Sequence, residues 1–546
     1  MTARRVMIIG LDGCTLDLVR PWAAEGRLPN LARFLEAGAW GPLRSTLPAT
    51  SLAAWSTFAT GVNPGKHGIL DFLQLAPDSY ESRLHDTSAL GPATFWELAG
   101  AEGTGGGIIN VPCIYPPRPF NGFCISGLLT PGLGPGMASP PEAFDDLMAA
   151  SPSYAIDVDV VKAGGERARE HFLDRIVEVA QARLEAALGL YRKHRPPLFC
   201  VVFTASDRVC HRFWHDMEEA GPTGERAGWA AGAIRMVYAK LDEAVGALTA
   251  EAGEGTDVLV LSDHGAGPLR SGLNLRRALS AAGLLTELEP GLIRRATRAA
   301  TSAFARTAPR ALKNRLRVRL PWLARRAGGL LVCSGVDFAR TRAYPAGNMG
   351  GVFVNLKGRQ PSGIVEPGAQ YEAVRTEVAA FLCALRDPGT GKPVVRAAHR
   401  REDAWSGPFL GELPDVILEL DDETYEVAGT TRRGQEVLYS LGEPGTTGWR
   451  RSGGHRRLGL LLAKGPHVRQ AEIPAADMAD VPATVLALLR CPIPEDFDGR
   501  VLNELLTDDM EPPGRAPAAA SHEPGRGLSR GERAAVERRL EGLGYL

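Results

Sequence analysis

Short apolar runs recur along the chain: "VMIIG" (6–10), "GIIN" (107–110), "LFCVVFTA" (198–205), "DVLVLS" (257–262), "GVFVNL" (351–356), "DVILEL" (415–420) and "LGLLLA" (458–463). Each is too short for a helix, is bounded by glycine or polar residues, and is continuously apolar rather than alternating, so each reads as a strand buried on both faces. Between them lie stretches of helical character, such as Glu166–Lys193 and Gly228–Ala250. Buried strands that alternate with helices assemble into a doubly wound, largely parallel sheet with helices against both faces, an α/β fold. In such sheets binding sites gather where the strands end at their carboxyl side.

Three of these runs end in acidic residues. "MIIGLDG" places Asp12 just past the first strand, "VVFTASDRVCH" places Asp207 past another, and "VLVLSDHG" places Asp263 and His264 past a third. A single Asp after a strand is ordinarily a turn or helix-capping residue. Three in one chain, two of them with a histidine close by, point instead to a shared task. Asp207 and His211 are four apart, so a helix starting there projects both from one face. His455, in "SGGHRRLGLLLAKGP", sits on a glycine-flanked loop before an apolar strand. Mixed carboxylate and imidazole donors suit zinc or manganese, zinc ahead of manganese, whereas an all-oxygen set favours calcium or magnesium. His67, in the tight "PGKHG" loop, reads as structural, and the remaining histidines lack a partner pattern.

Composition excludes several classes. A net charge of −1, with 44% hydrophobic and 23% charged residues, is that of an ordinary globular protein, so no nucleic-acid partner is expected. The eight cysteines are scattered without a CxxC pair, which fits reduced thiols. No signal-peptide pattern or membrane span is legible, and the chain is expected to be cytoplasmic. Arg294–Arg326 carries eleven Lys/Arg and no Asp/Glu, with leucines at helical spacing. This marks a basic helical insertion at about 286–335, either a solvated hairpin or a surface for anionic substrates or an anionic membrane. Residues 1–510 are expected to form one domain that includes this insertion. Residues 511–546 are expected to form a linker and a short C-terminal helix, opened by a Ser529-x-x-Glu532 capping box.

The stretch "LPATSLAAWSTFATGVNPGKHGILDF" (47–72) holds several hydroxyls, and "SLAAWSTFATG" reads as a helix from Ser51 to Gly61. Taken with "GLDG", "D-x-x-x-H", "SDHG", "GGHR" followed by "AKGP", and the late "DVPATVLALLRCPIPEDFDGRVL" (480–502), it resembles the alkaline phosphatase superfamily. It is most similar to the type I phosphodiesterase/nucleotide pyrophosphatase-like branch. The resemblance implies an alkaline phosphatase-like fold and a metal-dependent phosphoric ester hydrolase acting on a phosphate-ester substrate. In that branch the nucleophile precedes the "TG..P..HG" threonine by nine positions, which lands on Ser51. It further implies two divalent metal ions, one on Asp12, Ser51, Asp263 and His264, the other on Asp207, His211 and His455. A phosphomutase on the same fold, or a non-catalytic protein docking on anionic surfaces, is the alternative. Two departures stand out. The nucleotide pyrophosphatases carry an Asn in "HGI.DN" where this chain has Phe72, and the sulfatase x-P-x-R pattern is replaced after Ser51 by "LAAW".

Overall fold

The computed structural model describes residues 4–75, 78–84, 90–158, 165–219, 228–288, 335–421, 425–428, 436–441, 451–511, 513–518, 522 and 527–543. The elements that build the site run along the chain as β1 (Arg5–Leu11), β2 (Ala39–Arg44), α1 (Ser51–Thr60), β3 (Gly106–Ile109), β4 (Gly122–Ile125) and β5 (Ala138–Ser139). They continue with α2 (Glu166–His194), β6 (Leu198–Phe203), α3 (Ala205–Glu219), α4 (Ala233–Ala252), β7 (Thr256–Leu261), β8 (Gly265–Pro268) and β9 (Gly453–Arg456). Last come β10 (Leu458–Lys464), β11 (Ala471–Glu472), β12 (Ala476–Asp477), α5 (Asp480–Leu489) and α6 (Arg530–Leu543).

Ten strands form the central sheet, in the order β11, β2, β10, β7, β1, β6, β3, β4, β5, with β12 also pairing with β2. The five in the middle, β7, β1, β6, β3 and β4, are mutually parallel. β10 runs antiparallel to both β7 and β2. Ile8 lies in register with Cys200 on one side and Leu259 on the other, so three runs of apolar residues stack side by side. Every residue of β6 and β7 is buried, as expected of parallel strands covered on both faces. Helices α2, α3 and α4 pack on one another, α1 packs on α5, and both groups reach the sheet. The fold is the largely parallel, helix-flanked α/β sheet that the alternation of runs implies.

Two apolar runs went elsewhere. Gly351–Val354 and Val416–Leu420 belong to a separate antiparallel sheet in the order Ala343–Ala346, Gly351–Val354, Val416–Leu420, Val395–Arg400. Against it lies the helix Ala369–Cys383, and the two share a second apolar cluster that includes Val352, Val378 and Leu418. A run of four to six apolar residues records burial but not the partner or direction of pairing, which is why these two read like central strands.

At the far end of the chain, Ser529 N donates to Glu532 Oε2 (2.8 Å) and Glu532 N to Ser529 Oγ (3.4 Å), the reciprocal bonds of a capping box at the start of α6. Val536 and Leu540 of that helix are fully buried in the main core. The basic stretch 294–326, and most of the insertion expected around it, lies outside the described residues. No helix among the described residues is long and apolar enough to cross a membrane. The seven described cysteines are free thiols.

Candidate active site

The site forms where β1, β6 and β7 end. β1 runs into Asp12 and Gly13, and Gly13 turns with φ +68, where a Cβ would also lie 3.0 Å from Cα of Asp207. Only glycine meets both demands. Its N–H donates to Asp263 Oδ1 at 3.2 Å, tying the first strand end to the third. After β6 the chain turns at once into α3, placing Asp207 in the first turn, where the helix dipole favours a carboxylate, and His211 one turn on. β7 leads through Asp263 and His264 into β8, which pairs antiparallel with β9 so that Ala266 faces His455. This two-stranded ribbon carries His455 back onto the strand ends across nearly two hundred intervening residues. His264 and His455 stack with ring centroids 3.7 Å apart.

Helix α1 starts at Ser51, but its N-cap is Thr50, whose Oγ1 accepts from Ala53 N at 3.3 Å. Capping therefore does not occupy the Ser51 hydroxyl. Ser51 Oγ lies 3.2 Å from His264 Nε2 and 3.5 Å from Asp12 Oδ1. Gly61 closes the helix in the left-handed conformation.

All seven residues singled out in the sequence converge here, and six are essentially buried, with His455 slightly less so. Ligand atoms of Asp12, Asp263 and His264 lie within 4.8 Å of one another, as do those of Asp207, His264 and His455. His211 Nε2 is 3.0 Å from Asp207 Oδ1 and 3.2 Å from His455 Nε2. His264 is common to both groups, so they adjoin. Each ring turns Nδ1 toward a main-chain carbonyl: His211 to Gly453 O (2.8 Å), His264 to Gly265 O (3.0 Å) and His455 to Ala49 O (2.8 Å). That contact assigns the proton to Nδ1 and points Nε2 into the cluster, the arrangement metal-binding histidines use.

The electrostatics fit a cation. Burial, reinforced by the charges of Asp263 and Asp207, pushes the Asp12 carboxyl well above the usual carboxylate range. Burial raises Asp263 as well, and its Oδ2 accepts no hydrogen bond among the described residues. Burial also works against Asp207, but His211, His455 and Arg208 outweigh it and hold this carboxyl well below the ordinary range. Burial and the adjacent Arg451 guanidinium lower His211 to about 4, and burial next to His264 lowers His455 well below its ordinary value. Crowded carboxylates, an unpartnered buried oxygen and neutral imidazoles are what divalent cations would satisfy together.

Several residues here had no signal in the sequence. Trp55 Nε1 donates to Asp12 Oδ2 at 3.1 Å, and its place one turn after Ser51 on a helix was the available clue. Arg208 bonds Asp207 and is itself held by Asp157 at 2.7 Å. Arg451 touches both ring nitrogens of His211. His67 is structural in its contacts, with Nε2 3.0 Å from Thr57 Oγ1 and Nδ1 accepting from Ile69 N at 3.1 Å. Beside His455 and Ala49 a cleft of about 290 Å³ opens, lined also by Leu47, Met349, Leu418 and Arg451.

A family model described as type I phosphodiesterase / nucleotide pyrophosphatase matches residues 6–445. The chain belongs to that family. The family falls within the alkaline phosphatase superfamily, and its phosphodiesterase and pyrophosphatase activity makes the chain a hydrolase of phosphate-ester substrates. It is typically metal-dependent, and the Asp/His groups here are candidate metal sites. The match takes in Asp12, Ser51, Asp207, His211, Asp263 and His264, whereas His455 lies just beyond its end. No curated protein matches the chain.

Proposed function

We propose that this protein hydrolyses phosphate esters through a phosphoseryl intermediate on Ser51. Two divalent cations, zinc ahead of manganese, would be held by Asp12, Ser51, Asp263 and His264 and by Asp207, His211 and His455. One observation carries the reading. Ser51 Oγ, left uncapped by Thr50, sits against Asp12 and His264 at the edge of a buried set of three carboxylates and three imidazoles. When bound, the cations would polarise the phosphoryl oxygens and offset the charge that develops on them.

The chain's own residues supply the rest. Ser51 stands in the first turn of α1, where the positive end of the helix dipole favours a developing alkoxide. Its proton has two acceptors in reach, His264 Nε2 and Asp12 Oδ1. Trp55 fixes the Asp12 carboxylate by its indole N–H, and the three main-chain carbonyls fix the imidazole rings. Attack by Oγ forms the Ser51–phosphorus bond and breaks the ester bond to the leaving alcohol, and water then releases phosphate. The adjoining cleft has room for the leaving group.

Ser51→Ala should lower turnover of p-nitrophenyl esters by several orders of magnitude, and Ser51→Thr should retain part of it. Acid-quenched protein should carry phosphate on the peptide containing Ser51. An adduct on Thr50, or near wild-type turnover by Ser51→Ala, would overturn the proposal. Metal analysis of Asp263→Ala and His455→Ala tests the ligand sets, since both should lose metal.

A further inference from the structure

Arg451 lies on the segment that leads into β9, half-buried, with Nε 3.0 Å from Nδ1 and Nη2 3.1 Å from Nε2 of His211. The Nδ1 proton already goes to Gly453 O, and Nε2 already faces Asp207 Oδ1. The guanidinium therefore lies along the imidazole without having its N–H groups satisfied by it. Among the described residues it meets no carboxylate within ion-pair distance. The other arginine on the cleft, Arg457, is engaged by Glu419 at 2.8 Å, and that carboxylate is shared with His399 at 3.1 Å. Arg451 is thus a cation with donors to spare, between the His211 ring and the cleft that borders His455 and Ala49.

We propose that Arg451 reads the charge of the phosphoryl group and selects phosphomonoester dianions over diesters. The inference rests on the cluster being a phosphoryl-transfer site. A monoester near neutral pH presents three non-bridging oxygens that share two negative charges. A diester presents two that share one, because the third oxygen carries carbon. A guanidinium forms paired, charge-assisted bonds to such oxygens, so it gains most from the oxygen that only the monoester leaves open. A second observation points the same way. The Asn that the resemblance would place at position 72 is Phe72, whose ring is 2% exposed and packed in the main core. This side chain offers the phosphoryl group no polar contact. A neutral amide is gone while a cation stands in reach of the cleft.

The test uses the metal-loaded full chain and two esters with one leaving group, p-nitrophenyl phosphate and bis-p-nitrophenyl phosphate. Wild type should favour the monoester in kcat/KM. In Arg451→Ala both rates should fall, the monoester's by at least tenfold more, with metal content unchanged, and Arg451→Lys should recover only part of the ratio. A ratio within twofold of wild type refutes the assignment. Loss of metal from Arg451→Ala also refutes it, because Arg451 would then merely position His211. Calorimetric titration with inorganic phosphate and dimethyl phosphate gives the same reading without turnover. Arg451→Ala should weaken phosphate at least tenfold and dimethyl phosphate less than threefold, and equal weakening overturns the proposal. If wild type hydrolyses neither ester, the hydrolase reading fails, while the phosphate titration still decides the role of Arg451.

Discussion

Asp263→Asn should stabilise the metal-free protein and yet abolish its response to metal. Asp263 Oδ1 accepts from Gly13 N, a bond that the Asn oxygen keeps, while the unpartnered Oδ2 becomes an N–H donor beside the other acidic groups. Ligand atoms of Asp263 and Asp12 lie within 4.8 Å. Two unit charges at that separation repel by about 3 kcal/mol at an effective dielectric constant near 20. The raised pKa values of both carboxyls mean that proton uptake already relieves part of this, so a gain of roughly 1–3 kcal/mol is expected. With roughly 2 cal/mol/K of unfolding entropy per residue, each kcal/mol moves the Tm of so long a chain by about 1 °C. Wild type should gain about 4 kcal/mol from metal at a thousandfold excess over Kd, and the variant much less. The order of stability therefore inverts between chelator and zinc in a thermal scan. A variant less stable than wild type in chelator would show that Asp263 is held by attraction, principally to His264, and would refute the picture of crowded, repelling carboxylates.

Thr50→Ala should cost about 1 kcal/mol of stability through loss of the helix cap but leave the phosphoryl adduct on Ser51, a separation that mass spectrometry of quenched protein can read. Trp55→Phe removes the indole donor from a buried carboxylate and should cost about 1–3 kcal/mol, measured by chemical unfolding, together with weaker metal retention. His211, lowered to about 4, supplies a pH test on metal-free protein. Between about pH 4 and 6.5 the unfolded chain holds its proton and the folded one does not, so stability falls as pH falls through that window. His211→Gln lacks this contribution, and its stability relative to wild type should rise by roughly 3 kcal/mol from pH 7 to 4. Parallel pH curves for the two proteins would remove His211 from the buried cluster.

The sequence carried most of the central sheet because a strand buried on both faces leaves a continuous apolar signature, as in "LFCVVF" and "DVLVLS". It also carried the acidic strand ends, since Asp12, Asp207 and Asp263 each follow such a run within a few residues. Pairing was less legible. Nothing in "GVFVNL" or "DVILEL" distinguishes a place in the second, antiparallel sheet from one in the first. Arg208 and Arg451 were invisible for a different reason. An arginine in a sequence is by default a solvated surface group, and what makes these two informative is where the fold brings them. Arg208 is buried between Asp157 and Asp207, and Arg451 lies along a ring 240 residues away in the chain.

The start of α1 shows how local rules and chemistry separate. A helix beginning in Thr50-Ser51 needs one side-chain acceptor for its orphan N–H groups, and either hydroxyl could serve. The extended backbone at Thr50 gives that task to threonine, whose Oγ1 takes Ala53 N and whose own hydroxyl donates to Leu70 O at 3.0 Å. Ser51, one residue on, already has helical geometry, so its side chain leaves the cap and turns toward Asp12 and His264. A shift of the helix start by one residue would exchange the two roles and aim the wrong hydroxyl at the carboxylates. Gly61 at the far end and the Trp55 bond to Asp12 hold that register from both sides of the first turns. The nucleophile's position is therefore a property of helix capping as much as of the acidic cluster it faces.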